Sequence, residues 1–274
     1  MENLILNRPI PSSGEPIPVI GLGSWQSFDV GSDPSERAPQ AQVLRAFVEL
    51  GGRMVDSSPM YGRSEKVIGD LITEQGLKGK LFLATKVWTS GQAEGRRQME
   101  DSFRKLGTGI MDLMQVHNLV DVGTQLATLR EWKAAGRIRY LGITHYNAGG
   151  HAAVARLMET EDLDFVQINY SAGEREAENR ILPLARERGI AVLANRPFAG
   201  GDLARAILRE VPAWAAEIEC VSWPQILLKF VLSHPAVTCA IPATSNLAHL
   251  RANMAAGRGP LPDAALRERI AQSF

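Results

Sequence analysis

The sequence predicts an α/β chain folded as one (β/α)8 barrel, a single domain over residues 1–274, on three observations. Short β-branched or apolar runs alternate with longer amphipathic stretches, eight such runs can be counted, and polar residues recur at their C-terminal ends. Strands that alternate with helices make a parallel sheet, because a parallel return needs a crossover. The length of 274 residues matches a closed barrel, typically about 250 residues.

The strand candidates are, in order, "PVIGLGSW", "RMVDSS", "KLFLATKVW", "IMDLMQVH", "RYLGITH", "DFVQINY", "IAVLANRP" and "TCAIPAT". Between them, "PQAQVLRAFVELGG" and "RSEKVIGDLITEQG" end in glycine as helices do, and "TQLATLREWKAAGR" places apolar residues at helical spacing before Gly136. The competing architecture is an open dinucleotide-binding sheet, which would carry G-x-G-x-x-G between its first strand and a helix. Here "GLGSWQSF" is followed by "DVGSDPSERAP", so the barrel is the better reading.

Composition narrows the function. Basic and acidic residues balance at 30 each, which gives no electrostatic pull toward nucleic acid or an anionic membrane. Cys220 and Cys239 sit in apolar surroundings without metal-ligand spacing and read as reduced structural thiols. No run approaches the roughly 20 apolar residues of a membrane span. Glu2, with the break at Asn7 and Arg8, does not resemble a signal peptide, so a cytoplasmic location is expected.

Asp56, Lys86, His117, Thr144, Gln167 and Asn195 each end a successive strand, at intervals of 30, 31, 27, 23 and 28 residues. In a closed barrel they form a ring at the C-terminal face, where barrel active sites lie. Taken singly, each has a plainer account: Asp56 as a helix cap, Lys86 as a snorkelling side chain, His117 as a satisfied core histidine. Together they suggest chemistry. Lys86 ends an apolar strand and needs a partner for its charge, which Asp56 on the adjoining strand supplies. Tyr61 lies in the loop "SSPMYG" directly after Asp56. At about 4 Å and an effective dielectric of about 20, a lysine cation is worth about 4 kcal/mol, at most roughly 3 units off a phenol pKa of about 10. Tyr61 is therefore expected to become a usable acid for a substrate carbonyl oxygen, and His117 to donate a hydrogen bond to that same oxygen, so carbonyl reduction is the expected reaction. No side chain supplies a hydride, so a cofactor is implied, with Thr144, Gln167 and Asn195 suited to a nicotinamide carboxamide.

The chain resembles the aldo-keto reductase superfamily, bacterial type, through "PIPVIGLGSW", "GRMVDSS", "MYGRSEKVIG", "LATKVW", "DLMQVHN", "YLGITHYN", "VQINY", "LANRPF" and "IPATSNLAHLRANMAA". The resemblance implies a TIM barrel that binds NADPH without a Rossmann domain, and a catalytic tetrad of Asp56, Tyr61, Lys86 and His117. It also implies cofactor contacts from Gly23, Ser24, Trp25, Asp56, Gln167, Pro197, Phe198, Gly200 and Ile241, and a substrate pocket of Trp25, Trp88 and Tyr146 for a small carbonyl compound.

The sequence departs from the family at the cofactor positions. Where many relatives carry Ser-Asn after the fifth strand, this chain has Thr144 and His145; where many carry a stacking tyrosine after the seventh, it has Asn195, then Arg196, which is placed to approach the pyrophosphate. Ala243 and His249 stand where NADPH-preferring relatives put a lysine and an arginine, leaving Thr244, Ser245 and Asn253 to hydrogen-bond the adenine end. NADPH is the expected cofactor, NADH the alternative. Two rivals are a metal-dependent barrel hydrolase using Asp56, His117 and His145, and, by resemblance, a cofactor-binding regulatory subunit with little turnover.

Overall fold

The computed structural model describes residues 4–203 and 209–274. The chain opens with a hairpin, β1 (Asn7–Pro9) paired antiparallel with β2 (Pro16–Pro18). Eight parallel strands follow: β3 (Leu22–Gly23), β4 (Met54–Asp56), β5 (Phe82–Val87), β6 (Met111–Val116), β7 (Ile138–Thr144), β8 (Phe165–Asn169), β9 (Ala191–Asn195) and β10 (Val237–Ala240). Each pairs with its neighbours in chain order from β3 to β10. The first and last strands meet through the parallel bridges Ile20–Ala240 and Gly23–Ala243, with Gly21 N–H donating to the Ala240 carbonyl at 2.8 Å. All eight expected strands are present.

The helices between them are α1 (Pro34–Glu49), α2 (Ser64–Glu74), α3 (Gln92–Leu106), α4 (Val122–Ala134), α5 (His151–Thr160), α6 (Ile181–Arg188) and α7 (Trp223–Ser233), followed after β10 by α8 (Leu247–Ala256) and α9 (Ala264–Ala271). The first starts earlier than the run beginning at Pro39 suggested. Asp33 caps it by accepting the Ser35 N–H at 2.7 Å, and Pro34 takes the first turn, where a missing N–H costs nothing.

Strand side chains point alternately in and out, and the two sets form separate cores. Outward residues such as Val55, Leu83, Val87, Met114, Val116, Leu141, Ile143, Val166 and Ile168 pack under the helices. Inward residues Met54, Phe82, Leu113, Tyr140, Phe165, Ala191 and Cys239 fill the N-terminal half of the barrel, where Ile10 and Ile17 of the hairpin close the floor. Full burial of each large apolar side chain contributes about 1.5–3 kcal/mol. Two residues further along the same inward faces the character changes. Met54 gives way to Asp56, Leu113 to Gln115 and Phe165 to Gln167, all buried, while Phe82 leads through Ala84 to Lys86. The apolar floor thus lifts a buried polar layer to the C-terminal mouth.

Candidate active site

The centre of that layer is Lys86, which has no solvent exposure. Its Nζ donates to Asp56 Oδ2 at 2.7 Å and to the Ser57 carbonyl at 2.6 Å. The other Asp56 oxygen accepts from Gln167 Nε2 at 3.0 Å and Gln115 Nε2 at 3.4 Å. Register explains the convergence. Asp56 lies opposite Ala84 and Lys86 opposite Gln115, so neighbouring inward positions stack at one height.

Tyr61 hangs over this pair on the loop after β4, held by its N–H to the Ser58 carbonyl at 3.0 Å. The Lys86 Nζ is 5.0 Å from the Tyr61 ring centre. His117 meets the same ring edge to face, centroids 5.8 Å apart. His117 Nδ1 lies 2.9 Å from the Ser58 hydroxyl. The four residues Asp56, Tyr61, Lys86 and His117 therefore share one cluster.

Its electrostatics correct one expectation. Burial raises the Tyr61 phenol pKa, opposed by the Lys86 charge and reinforced by Asp56, so the net shift is upward rather than toward neutrality. Charge attraction alone, which is what the sequence displays, leaves out desolvation. Burial also works against the Lys86 ammonium, but Asp56 and then Tyr61 outweigh it and raise its pKa. For His117, burial and the Lys86 and His145 charges act together and push the pKa down to about 2, so the imidazole is neutral.

Around the cluster, Ser24 is buried and donates its hydroxyl to Ser57 Oγ at 3.0 Å, while the adjoining Gly23 backs onto the segment just after β10: an added Cβ there would sit 2.7 Å from the Ile241 carbonyl. Trp25, Trp88 and Tyr146 are large exposed side chains on loops at this mouth, joined by Met60 beside Tyr61. The residues expected to face a nicotinamide are more committed than the sequence suggested. Gln167 spends its amide N–H on Asp56, Thr144 Oγ1 accepts the Asn118 N–H at 3.3 Å, and the His145 ring stacks on Tyr146, 5.6 Å between centroids. Asn195 donates to the His145 carbonyl at 3.2 Å, and its Oδ1 is buried with no hydrogen-bond partner. The Arg196 guanidinium lies against Gly200 and 3.6 Å from Glu174 Oε1, with its Nε also buried and unpartnered. Pro197 is buried and Phe198 packs on the outer core. At the far rim, Thr244 and Asn253 are buried and Ala243, Ser245 and His249 exposed.

Six non-glycine residues in loops after β3, β6 and β9 hold positive φ: Gln26, Asn118, Leu119, Asp121, Arg196 and Ala199. Such backbone is costly and concentrates where a site over-determines it. Among the described residues, no three His, Cys, Asp or Glu side chains converge to hold a metal ion, so Asp56, His117 and His145 do not form the ligand set of the rival hydrolase reading.

The sequence model described as the aldo/keto reductase family matches residues 19–269. The chain belongs to that family. The curated relative methylglyoxal reductase YeaE of Escherichia coli is 31% identical over 251 residues, covering 87% of this chain and 85% of its own. Among solved structures, an aldo-keto reductase from Klebsiella pneumoniae in complex with NADPH superposes with a TM-score of 0.82 at 24% identity, covering 100% of this chain and 96% of its own. The holo form of aldo-keto reductase AKR11C1 from Bacillus halodurans gives 0.81 at 22%, covering 98% and 96%.

For this family member, sequence reasoning missed three contributors to the cluster. Gln115 carried a legible signal, since it precedes His117 by two and so faces inward with it. The Ser57 carbonyl and the Ser58 hydroxyl carried none, because the loop path that aims them is not written in a hydrophobic period.

Proposed function

We propose that this chain is an NAD(P)H-dependent oxidoreductase that reduces aldehyde or ketone carbonyls to alcohols, with Tyr61 as the proton donor. The observation that carries the reading is the buried Asp56–Lys86 pair beneath Tyr61, with neutral His117 beside it.

The residues fit a nicotinamide cofactor. The unpartnered Asn195 Oδ1 and Arg196 Nε end the β9 wall, where an amide donor and an anion respectively would satisfy them. The K. pneumoniae relative is itself in complex with NADPH. When bound, a reduced nicotinamide supplies the hydride for the carbonyl carbon.

The chain's own groups handle the oxygen. Tyr61, its pKa raised, stays protonated and thus loaded at neutral pH. As its proton passes to the carbonyl oxygen, the nearby Lys86 charge stabilises the phenolate left behind, and Asp56 keeps Lys86 charged and in place. His117 offers a neutral donor to the same oxygen without competing as an acid. The exposed rim of Trp25, Met60, Trp88 and Tyr146 suits a small, partly apolar carbonyl compound.

The test is titration with NADPH and then NADH by quenching of tryptophan fluorescence, followed by turnover of 4-nitrobenzaldehyde and methylglyoxal. Cofactor binding with turnover is expected, and Tyr61→Phe should retain binding while losing about 10²- to 10⁴-fold in rate. Binding of neither cofactor, or near wild-type turnover by Tyr61→Phe, would overturn the reading.

A further inference from the structure

The two adjacent serines that follow Asp56 have different partners. Ser57 Oγ is taken by Ser24 at 3.0 Å, whereas Ser58 Oγ lies 2.9 Å from His117 Nδ1. Both Ser58 and His117 are buried.

We propose that Ser58 is a positioning residue that fixes the tautomer of His117, keeping the ring proton on Nε2. The argument is one of donors and acceptors. A serine hydroxyl has one proton to give and lone pairs to receive. The Met60 N–H, 3.4 Å away, already points at Ser58 Oγ as a donor. Among the described residues, the hydroxyl proton has His117 Nδ1 as its acceptor and no other. Were Nδ1 protonated instead, two N–H groups would face the same oxygen and the buried hydroxyl proton would have nowhere to go, which a desolvated group does not tolerate. The neutral ring therefore accepts at Nδ1 and carries its proton on Nε2. Burial and the Lys86 charge keep a second proton off the ring.

Ser58 also accepts the Tyr61 N–H through its own carbonyl at 3.0 Å, so one residue sets the loop that presents Tyr61 and the proton position of the ring that packs on it. In the proposed reaction, on which the catalytic part of this inference rests, the consequence is that His117 meets the carbonyl oxygen as a donor. The opposite tautomer would offer a lone pair and repel it.

Long-range proton–nitrogen NMR of the full chain, with ring-labelled histidine, separates the two tautomers by their nitrogen shifts. The chain has five histidines, so His117→Gln assigns the signal. The wild-type ring should give the Nε2–H pattern. Ser58→Ala should shift the His117 nitrogens toward a mixture of tautomers and lower kcat for aldehyde by about tenfold, with the cofactor dissociation constant unchanged. An Nδ1–H pattern in the wild type, or an unaltered ring pattern in Ser58→Ala, overturns the assignment. The spectra read Ser58 without turnover, so the Nε2–H pattern in a protein that reduces no carbonyl would sink the proposed reaction while upholding the hold on the ring.

Discussion

Lys86 Nζ and Asp56 Oδ2 stand 2.7 Å apart with both side chains sealed from solvent, on adjoining strands above an apolar floor. Two charges so placed are bound to each other by what each would lose alone. Breaking a buried pair from one side leaves an uncompensated charge, at a cost of about 3–5 kcal/mol. Asp56→Asn and Lys86→Met should each be destabilised by that order in urea unfolding. The double variant should be more stable than the sum of the two losses implies, by at least about 1 kcal/mol. Simple additivity would mean that the pair is not coupled in solution.

The depressed His117 pKa makes stability depend on pH in a definite direction. Unfolded, the imidazole takes up a proton near its ordinary 6.5; folded, it does so only near about 2. The unfolded chain thus binds more protons between these values, so the contribution is complete above about pH 6.5 and lost as pH falls. By pH 5 the loss amounts to about 2 kcal/mol. His234, lowered to about 4 chiefly by burial, acts in the same sense. Thermal melts at pH 7 and pH 5 should show a larger drop for the wild type than for His117→Gln. Equal drops would mean that His117 titrates normally in the fold.

Much of this was legible in the sequence because barrels are periodic at two scales. Alternation within a strand marked which residues face inward, and the recurrence near 30 residues marked which strand ends share a layer, so Asp56, Lys86 and His117 could be grouped before any fold was seen. The opening hairpin was not legible: three-residue strands bounded by Pro9, Pro16 and Pro18 have no period to detect. The direction of the Tyr61 shift was also hidden, since desolvation depends on how many groups crowd a phenol, and a sequence names partners but not packing. The commitment of the Gln167 amide to Asp56 is of the same kind.

Gly69 gives a prediction that owes nothing to function. It lies on the buried face of α2, where an added Cβ would sit 1.9 Å from the Lys105 carbonyl oxygen near the end of α3. Helical propensity alone favours alanine over glycine by about 1 kcal/mol. Here the clash is with backbone, which cannot rotate away, and overpacking of this kind costs about 1–3 kcal/mol or more. Gly69→Ala should therefore lower the unfolding midpoint despite the better propensity. A raised midpoint would show that the two helices separate easily.

In the proposed reductase, cofactor preference is expected to turn on the loop before α8. A helix N-terminus can hold phosphate through free N–H groups, but Asn246 Oδ1 already accepts from Ala248 N–H at 2.8 Å and His249 N–H at 3.1 Å. Discrimination for the 2′-phosphate of NADPH then falls to side chains, and neither Ala243 nor exposed His249 is a fixed cation. The proposed reductase should accordingly bind NADPH and NADH within about tenfold of each other. Adding Ala243→Lys and His249→Arg should strengthen NADPH by about tenfold per cation and leave NADH almost unmoved, because a charge-assisted bond forms only where the phosphate is present. Raising ionic strength should erode the gain, as it does for exposed charge pairs. Fluorescence titrations of both cofactors read these ratios directly. A double variant whose ratio matches the wild type would place the phosphate away from this loop.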